Sequence, residues 1–390
     1  MANTEIMTIN MGPQHPSTHG VLRMLIELDG ETILKIDPDI GYLHRGVEKL
    51  SEYRTYHQAL PLTDRLDYLA PMSNNLGYIL AVEKLLGIEV PERAQTIRII
   101  LAELTRLKSH LVWLACHALD IGAMTVFIYA FREREVIMET YELISGARMT
   151  SNFFRAGGLS QDVPPQFEKK VRDFMAEMPG FIDTYEGLLT GNPIWRKRTI
   201  GNGVISAEDA TDIGITGPAL RGSGVNFDLR RDIPYAGYEN YQFEVPVGTE
   251  CDTFDRYKCR LIEMRESCKI VNQALDRLKP GPVLADEPQV CYPPKDSVYN
   301  SIEGLIHHFK IASEGYPVPE GEVYMGIEAP KGELGFYIVS DGSGKPYRMR
   351  IRPPSFVNLQ AIEKMAKGSM LADLVAIIGT LDIVLGEIDR

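Results

Sequence analysis

A chain of 390 residues is too long for a disulfide-stapled miniprotein and fits one large domain or two ordinary ones. Its 41 Lys and Arg against 53 Asp and Glu leave a formal charge of −12, a poor electrostatic match for nucleic-acid phosphates or anionic lipid heads. With 44% apolar and 24% charged residues, the composition excludes disorder and collagen and provides for a sizeable core.

Strand signals come first. Val21 to Leu28 and Thr32 to Ile36 flank Asp29 and Gly30, a strong hairpin-turn dipeptide. From Val47 to Leu189 apolar residues recur at helical spacing. Pro91 opens a helix over Glu92 to Ala118, and Pro164 with Pro165 opens another over Phe167 to Met178. The Gly/Pro-rich stretch from Gly191 to Gly248 reads as extended loops around a short helix. Asp255 to Leu278 and Ser301 to Ser313 are amphipathic helices. Glu322 to Ile351 alternates as strands with a hairpin tip at Asp341 to Gly344, and two helical stretches, Leu359 to Lys367 and Met370 to Leu385, follow. The pattern predicts one α+β unit: a buried helical core with a small sheet near each end. Its parts are an N-terminal β region over 1–40, helices over 47–190, extended loops over 191–250, and helices with a sheet over 255–390.

Leu111 to Phe131 is long enough to span a bilayer and carries one formal charge, at Asp120. A carboxylate at midplane costs about 2.5–3.5 kcal/mol on insertion scales. Gly122, Met124 and Thr125 also read as a break, so the expectation is two helices buried inside a helical protein. Asp120 there must be paired, hydrogen-bonded or neutral, and a histidine is a natural partner.

The five cysteines, Cys116, Cys251, Cys259, Cys268 and Cys291, form no C-x-x-C pair. They read as reduced, mostly buried thiols rather than as cluster or zinc ligands. The first residues lack a secretory signal or a transit peptide. Two glycine-rich stretches, Gly217 to Gly224 and Gly342 to Lys345, lack the full phosphate-binding pattern and read as structural loops. His15 and His19 stand four apart in GPQHPSTHG, Gly12 to Gly20. Pro16 biases the segment away from helix. A metal pair, a packed turn and a loop presenting imidazole for proton transfer all stay open. Tyr68, in DRLDYLA, sits at a helix start and has an ordinary reading as surface or core.

Longer motifs go further. GPQHPSTHGVLR (Gly12 to Arg23), IGYLHRGVEKL (Ile40 to Leu50), FREREVIMETYELISGARM (Phe131 to Met149), GPALRGSGVNFDLRRDIPYAGYE (Gly217 to Glu239) and KGELGFYIVSDGSGKPYRMRIRPPSF (Lys331 to Phe356) resemble the D subunits of NADH:quinone oxidoreductase, respiratory complex I. The likeness runs along essentially the whole chain. It implies a fold like that of [NiFe]-hydrogenase large subunits, whose nickel is held by two C-x-x-C pairs. Here those places hold Asp67 and Ala70, and Asp382 to Leu385, which cannot supply thiolates.

The resemblance implies that the cavity takes a quinone headgroup, with Tyr68 and His19 as its hydrogen-bond donors and Asp120 as the partner of His19. It implies no cofactor bound by this chain alone; FMN, the terminal [4Fe–4S] cluster and the other iron–sulfur clusters would lie on partner subunits. It implies the B, C and H subunits as neighbours and a peripheral place on the cytoplasmic face of the cell inner membrane. The alternative is a cysteine-less structural subunit with a vestigial cavity. Arg45, in HRG, is a candidate neighbour of the partner's cluster or a helix-start ion pair with Glu48.

Thr150 departs from that family's pattern. After Arg148 and Met149 many members have a histidine beside the terminal cluster, through which its potential follows pH, and a hydroxyl does not titrate near neutrality. The midpoint of that cluster is expected to change less with pH than in histidine-bearing relatives; a redox titration across pH 6–8 showing their full slope would contradict this.

Overall fold

The computed structural model describes residues 6–18 and 20–390. Strand β1 (Ile6–Met11) pairs antiparallel with β2 (Arg23–Asp29), which pairs with β3 (Thr32–Asp39). The hairpin turn falls where the Asp29–Gly30 dipeptide places it, with Gly30 at φ +64°. Next come α1 (Val47–Tyr53), α2 (Tyr56–Thr63), α3 (Pro71–Leu86), α4 (Glu92–Asp120) and α5 (Met124–Ser145). A two-residue hairpin, β4 (Phe154–Arg155) with β5 (Gly158–Leu159), precedes α6 (Gln166–Leu189).

The sequence pattern ends that helix at Met178, but it runs eleven residues further, through Pro179. Pro179 lies on the exposed face, where water can take the carbonyl that its missing N–H leaves unpaired. The stretch read as loops around one short helix in fact holds four: α7 (Pro193–Thr199), α8 (Ala207–Ile213), α9 (Pro218–Arg221) and α10 (Leu229–Asp232). Each is too brief to show a period, and each is started by a cap or a proline.

The 25-residue α11 (Thr253–Arg277) is followed by α12 (Lys295–Asn300) and α13 (Ile302–Glu314). The second sheet is β6 (Gly321–Ala329), β7 (Gly332–Ser340) and β8 (Arg348–Arg352), all antiparallel. Four short helices close the described chain: α14 (Pro354–Leu359), α15 (Ile362–Ala366), α16 (Leu371–Leu381) and α17 (Leu385–Ile388).

The main apolar core surrounds α4, which packs against α3, α5, α11 and α16, while α3 carries the contact with β6 and β7. A second apolar cluster joins β1–β3 to α15 and α16, through Leu22, Met24, Ile26, Ile33, Ile362, Leu374, Ile377 and Ile378. Backbone bonds stitch the same contact: Ile33 N–H donates to Ser369 O at 2.9 Å and Leu371 N–H to Glu31 O at 3.0 Å. The apolar run from Leu111 to Phe131 is broken between α4 and α5, where Gly122 takes φ +100°. No helix among the described residues is long and apolar enough to cross a membrane.

Beneath β6 the core is ionic. Arg221 pairs with Glu263 at 2.6 Å and Glu328 at 2.7 Å, and Arg230 pairs with Asp228 at 2.7 Å and Glu103 at 3.2 Å. Tyr238 Oη and Ser267 Oγ donate to Glu103, both at 2.6 Å. Burial pushes His110 down to about 4, so it is neutral and offers Nε2–H to Glu263 at 3.0 Å. These charges persist because each carboxylate has several donors. Arg221→Met would leave Glu263, Glu328 and Asp228 short of a cation at a cost of about 3–5 kcal/mol. Proteolysis of the assembled protein at rising temperature should cut this variant well below the wild-type temperature.

Candidate active site

Tyr68 is not at a helix start. It lies in the turn 64–70 between α2 and α3, which proline at the head of α3 leaves non-helical. The Asp67 carboxylate accepts from Leu69 N–H at 3.0 Å, and Asn74 Nδ2 donates to Asp67 O at 2.9 Å, so the turn is pinned from both sides. Helix α17 presses against it. A Cβ on Gly386 would stand 2.5 Å from Leu66 O and 3.3 Å from the Tyr68 ring, so only glycine allows this approach. Tyr68 remains 36% exposed, a ring seated on protein with its edge open. Burial, and then the charge of Asp67, raise its phenol, against Lys331. It is a neutral O–H donor across the physiological range.

Asp120 is the last residue of α4, just before the expected break at Gly122, and is half-buried rather than enclosed in the helical core. Burial raises its carboxyl to about 6, with His15 pulling the other way. The negative end of the α4 dipole acts in the same sense as burial. His15 holds its own turn, its carbonyl accepting from Thr18 Oγ1 at 2.8 Å. His19 lies outside the described residues.

Cys116, one turn before Asp120, joins the two groups. Its thiol is raised to about 11 by burial and by the charges of Asp120 and Asp382, and Cys116 in turn acts on Tyr68. Tyr68 and Asp120 are thus each within electrostatic reach of Cys116, near the end of α4. Arg45 does not pair with Glu48. Its Nη2 donates to Arg65 O at 2.8 Å, which sets it against the Tyr68 turn, while Glu48 pairs with Arg350 at 3.7 Å and Arg390 at 3.4 Å. Thr150 is half-buried in the segment after α5.

Behind Tyr68 is a group that sequence reasoning missed. Lys331, at the β6–β7 turn, is fully buried, with Nζ 2.9 Å from Asp67, 2.9 Å from Ser109 Oγ and 3.6 Å from Asp382. Burial pulls the ammonium down, yet Asp382 and Asp67 hold it above its usual range. Burial and the charge of Asp67 raise the neighbouring Glu387 to about 8, so it is mostly neutral at pH 7 and accepts from Ser355 N–H. A lysine beside a hairpin glycine normally reads as solvent-exposed, which hid it. The only signal was the pair of acidic residues, Asp67 and Asp382, in otherwise apolar surroundings.

Known proteins share this chain's sequence from end to end. Residues 120–390 match the family described as respiratory-chain NADH dehydrogenase, 49 Kd subunit. The D subunit of NADH-quinone oxidoreductase from Trichlorobacter lovleyi is 94% identical over the whole of both chains. That of Geobacter sulfurreducens is 82% identical, again over the whole of both. The second D subunit of Chloroflexus aurantiacus is 57% identical over 99% of this chain and 95% of its own. The chain belongs to the family of NADH-quinone oxidoreductase D subunits. The family model begins at Asp120, but the full-length relatives carry the match across the Tyr68 turn as well.

The ion pair that this D-subunit family member builds behind Tyr68 can be tested by charge balance. Lys331→Met strands two buried carboxylates and should cost about 3–5 kcal/mol. Adding Asp67→Asn and Asp382→Asn should recover most of that. Quantifying this chain in the purified complex by immunoblot reads both steps; a triple variant no better retained than the single would show that packing, not charge, dominates.

Proposed function

We propose that this chain forms the quinone-headgroup site of its oxidoreductase, with Tyr68 as one donor to the quinone oxygens and His19 as the other. The observation that carries the reading is that Tyr68, with its ring edge open, and half-buried Asp120 both lie within electrostatic reach of Cys116 near the end of α4. Two-electron reduction of a quinone places negative charge on each carbonyl oxygen, and a prepositioned O–H donor stabilises that charge as it forms. Asp120 orients an imidazole and exchanges a proton near neutrality. A carboxyl near 6 suits that task.

Electrons come from outside this chain. We assign them to the terminal [4Fe–4S] cluster of the B subunit, fed by further clusters and FMN on other subunits. Among the described residues no group of three or more His, Cys, Asp or Glu is arranged to hold a metal, and no C-x-x-C pair occurs in the sequence. Where a [NiFe]-hydrogenase-like fold would hold its metal, the Lys331 ammonium sits against Asp67 and Asp382. A fixed cation in a carboxylate cage leaves no place for a soft metal. We read residues 1–390 as one domain of that fold, because β1–β3 share an apolar cluster with α15 and α16.

Membership of the family makes the chain a component of complex I. The B, C and H subunits are our assignment for its neighbours, on the cytoplasmic side of the cell inner membrane. Exposed Leu119, Met124 and Ile128 beside Asp120 supply apolar surface for such a contact. Arg45 lies against the Tyr68 turn, beside the Arg65 carbonyl.

Tyr68→Phe keeps the ring and removes the donor. In assembled membranes NADH:ferricyanide activity should hold, while NADH reduction of a short-chain quinone falls by about two orders of magnitude. Unchanged quinone reduction would remove Tyr68 from the site.

A further inference from the structure

A second cavity, of about 540 Å³, opens between α2, the β4–β5 hairpin and the segment 284–316. Neither Tyr68 nor Asp120 lines it, and nothing in the quinone reading uses it. Its volume lies within the range of small-molecule sites. Most of its wall is apolar, and its charge is one-sided. Arg155 and Lys295 line it with the imidazoles of His57 and His308, and among the described residues no Asp or Glu does. In a chain of net charge −12 that selection is unusual.

Arg155 is held from behind. Its Nη1 donates to Asn152 O and Phe154 O, both at 2.7 Å, and to Asn152 Oδ1 at 3.1 Å. Its Nε and Nη2 have no partner, and it has no ion pair, among the described residues. Burial lowers its pKa, with Tyr292 and Asp64 opposing. The guanidinium is half-buried and its unpaired edge stays open, so an anion entering the cavity can meet it. Tyr292 completes the wall, edge-on to His57 at 5.1 Å and 5.3 Å from His308. His57 is pushed down to about 4 by burial and by Arg155, so it offers a neutral ring rather than a second charge.

We propose that this cavity binds an organic monoanion, its carboxylate on the free edge of Arg155 and its apolar body against Tyr292 and the aliphatic wall. The planar guanidinium fork matches a carboxylate. A neutral apolar ligand would leave the cation uncompensated. A dianion would meet only one charge inside the cavity, since Lys295 is exposed at the rim.

The test uses the purified, assembled complex and dodecanoate carrying a terminal diazirine as the photoreactive probe. Labelled peptides are expected from the segment 284–316, with label competed away by plain dodecanoate and not by dodecanol. Arg155→Met should reduce labelling at least tenfold. Because Arg155 also braces the β4–β5 hairpin, Val298→Trp provides a second variant that fills the cavity without touching it, and it too should lose the label. The proposal is overturned if wild-type complex takes no label there, as it would with a partner's side chain already in the cavity. Equal competition by dodecanol, or full labelling of Val298→Trp, overturns it as well.

Discussion

The Lys331 ammonium, buried against the carboxylate of Asp67 and near that of Asp382, is the interaction on which the site depends. It joins the turn after α2, the β6–β7 hairpin and the end of α16. None of these neighbours another in sequence. Taken singly, each charge would be prohibitively costly in a dry interior; together they define a geometry that no apolar contact of the same volume would fix as tightly. Asp382 takes a left-handed backbone at φ 52° to end α16. That turn feeds α17 back towards Tyr68, where Gly386 completes the seat. The position of the phenol therefore follows from an ion pair one layer beneath it.

Helix α4 is the second constraint. At 100° per residue, Ser109, Cys116 and Asp120 fall within roughly 40° of one another around its axis. One stripe of one helix thus touches Lys331, lies beside Tyr68 and ends in the carboxylate. The helix is rigid because it is buried along most of its length, and a site on a rigid element is held more precisely than one on a loop. Its last turn is also where an aspartate is least comfortable, since unpaired carbonyls point the same way. The placement that disfavours Asp120 as a structural residue brings its proton affinity into a useful range.

Much of the fold was legible in the residues. Prolines at 91, 164 and 165 mark helix starts that the structure places within two residues, and Asp29–Gly30 fixes a hairpin by turn chemistry alone. What failed did so for local reasons. Pro179 signals a stop only when its helix is buried all round, and the helices between 193 and 232 are shorter than the period needed to see them. The break at Gly122 was legible and falls where the residues place it, which leaves Asp120 at the end of α4. Asp120 stood out as a carboxylate in an apolar run, but Tyr68 came forward only through resemblance, since neither residue type nor spacing singles out a tyrosine in a turn. Lys331 was illegible, because its burial is decided by partners 264 positions before it and 51 after it.

The chemistry that remains is a question of where protons can rest. Lys331 lies against Asp67 and Asp382, and with Arg260 it opposes the burial that raises the Asp382 carboxyl, so the ion pair sets the local field. Glu387, near 8, is already protonated at neutral pH and sealed under Ser355. Two carboxyls near the Tyr68 turn then stand close to neutrality: Asp64, raised to about 7 by burial and closed off from solvent, and Asp120, near 6 and half open, which is the one a substrate can reach. A phenol raised above its ordinary value gives up its proton only to a stronger base, such as a doubly reduced quinone oxygen. In the proposed site the proton therefore leaves Tyr68 only after charge has arrived on the substrate. This order ties proton release to the arrival of electrons.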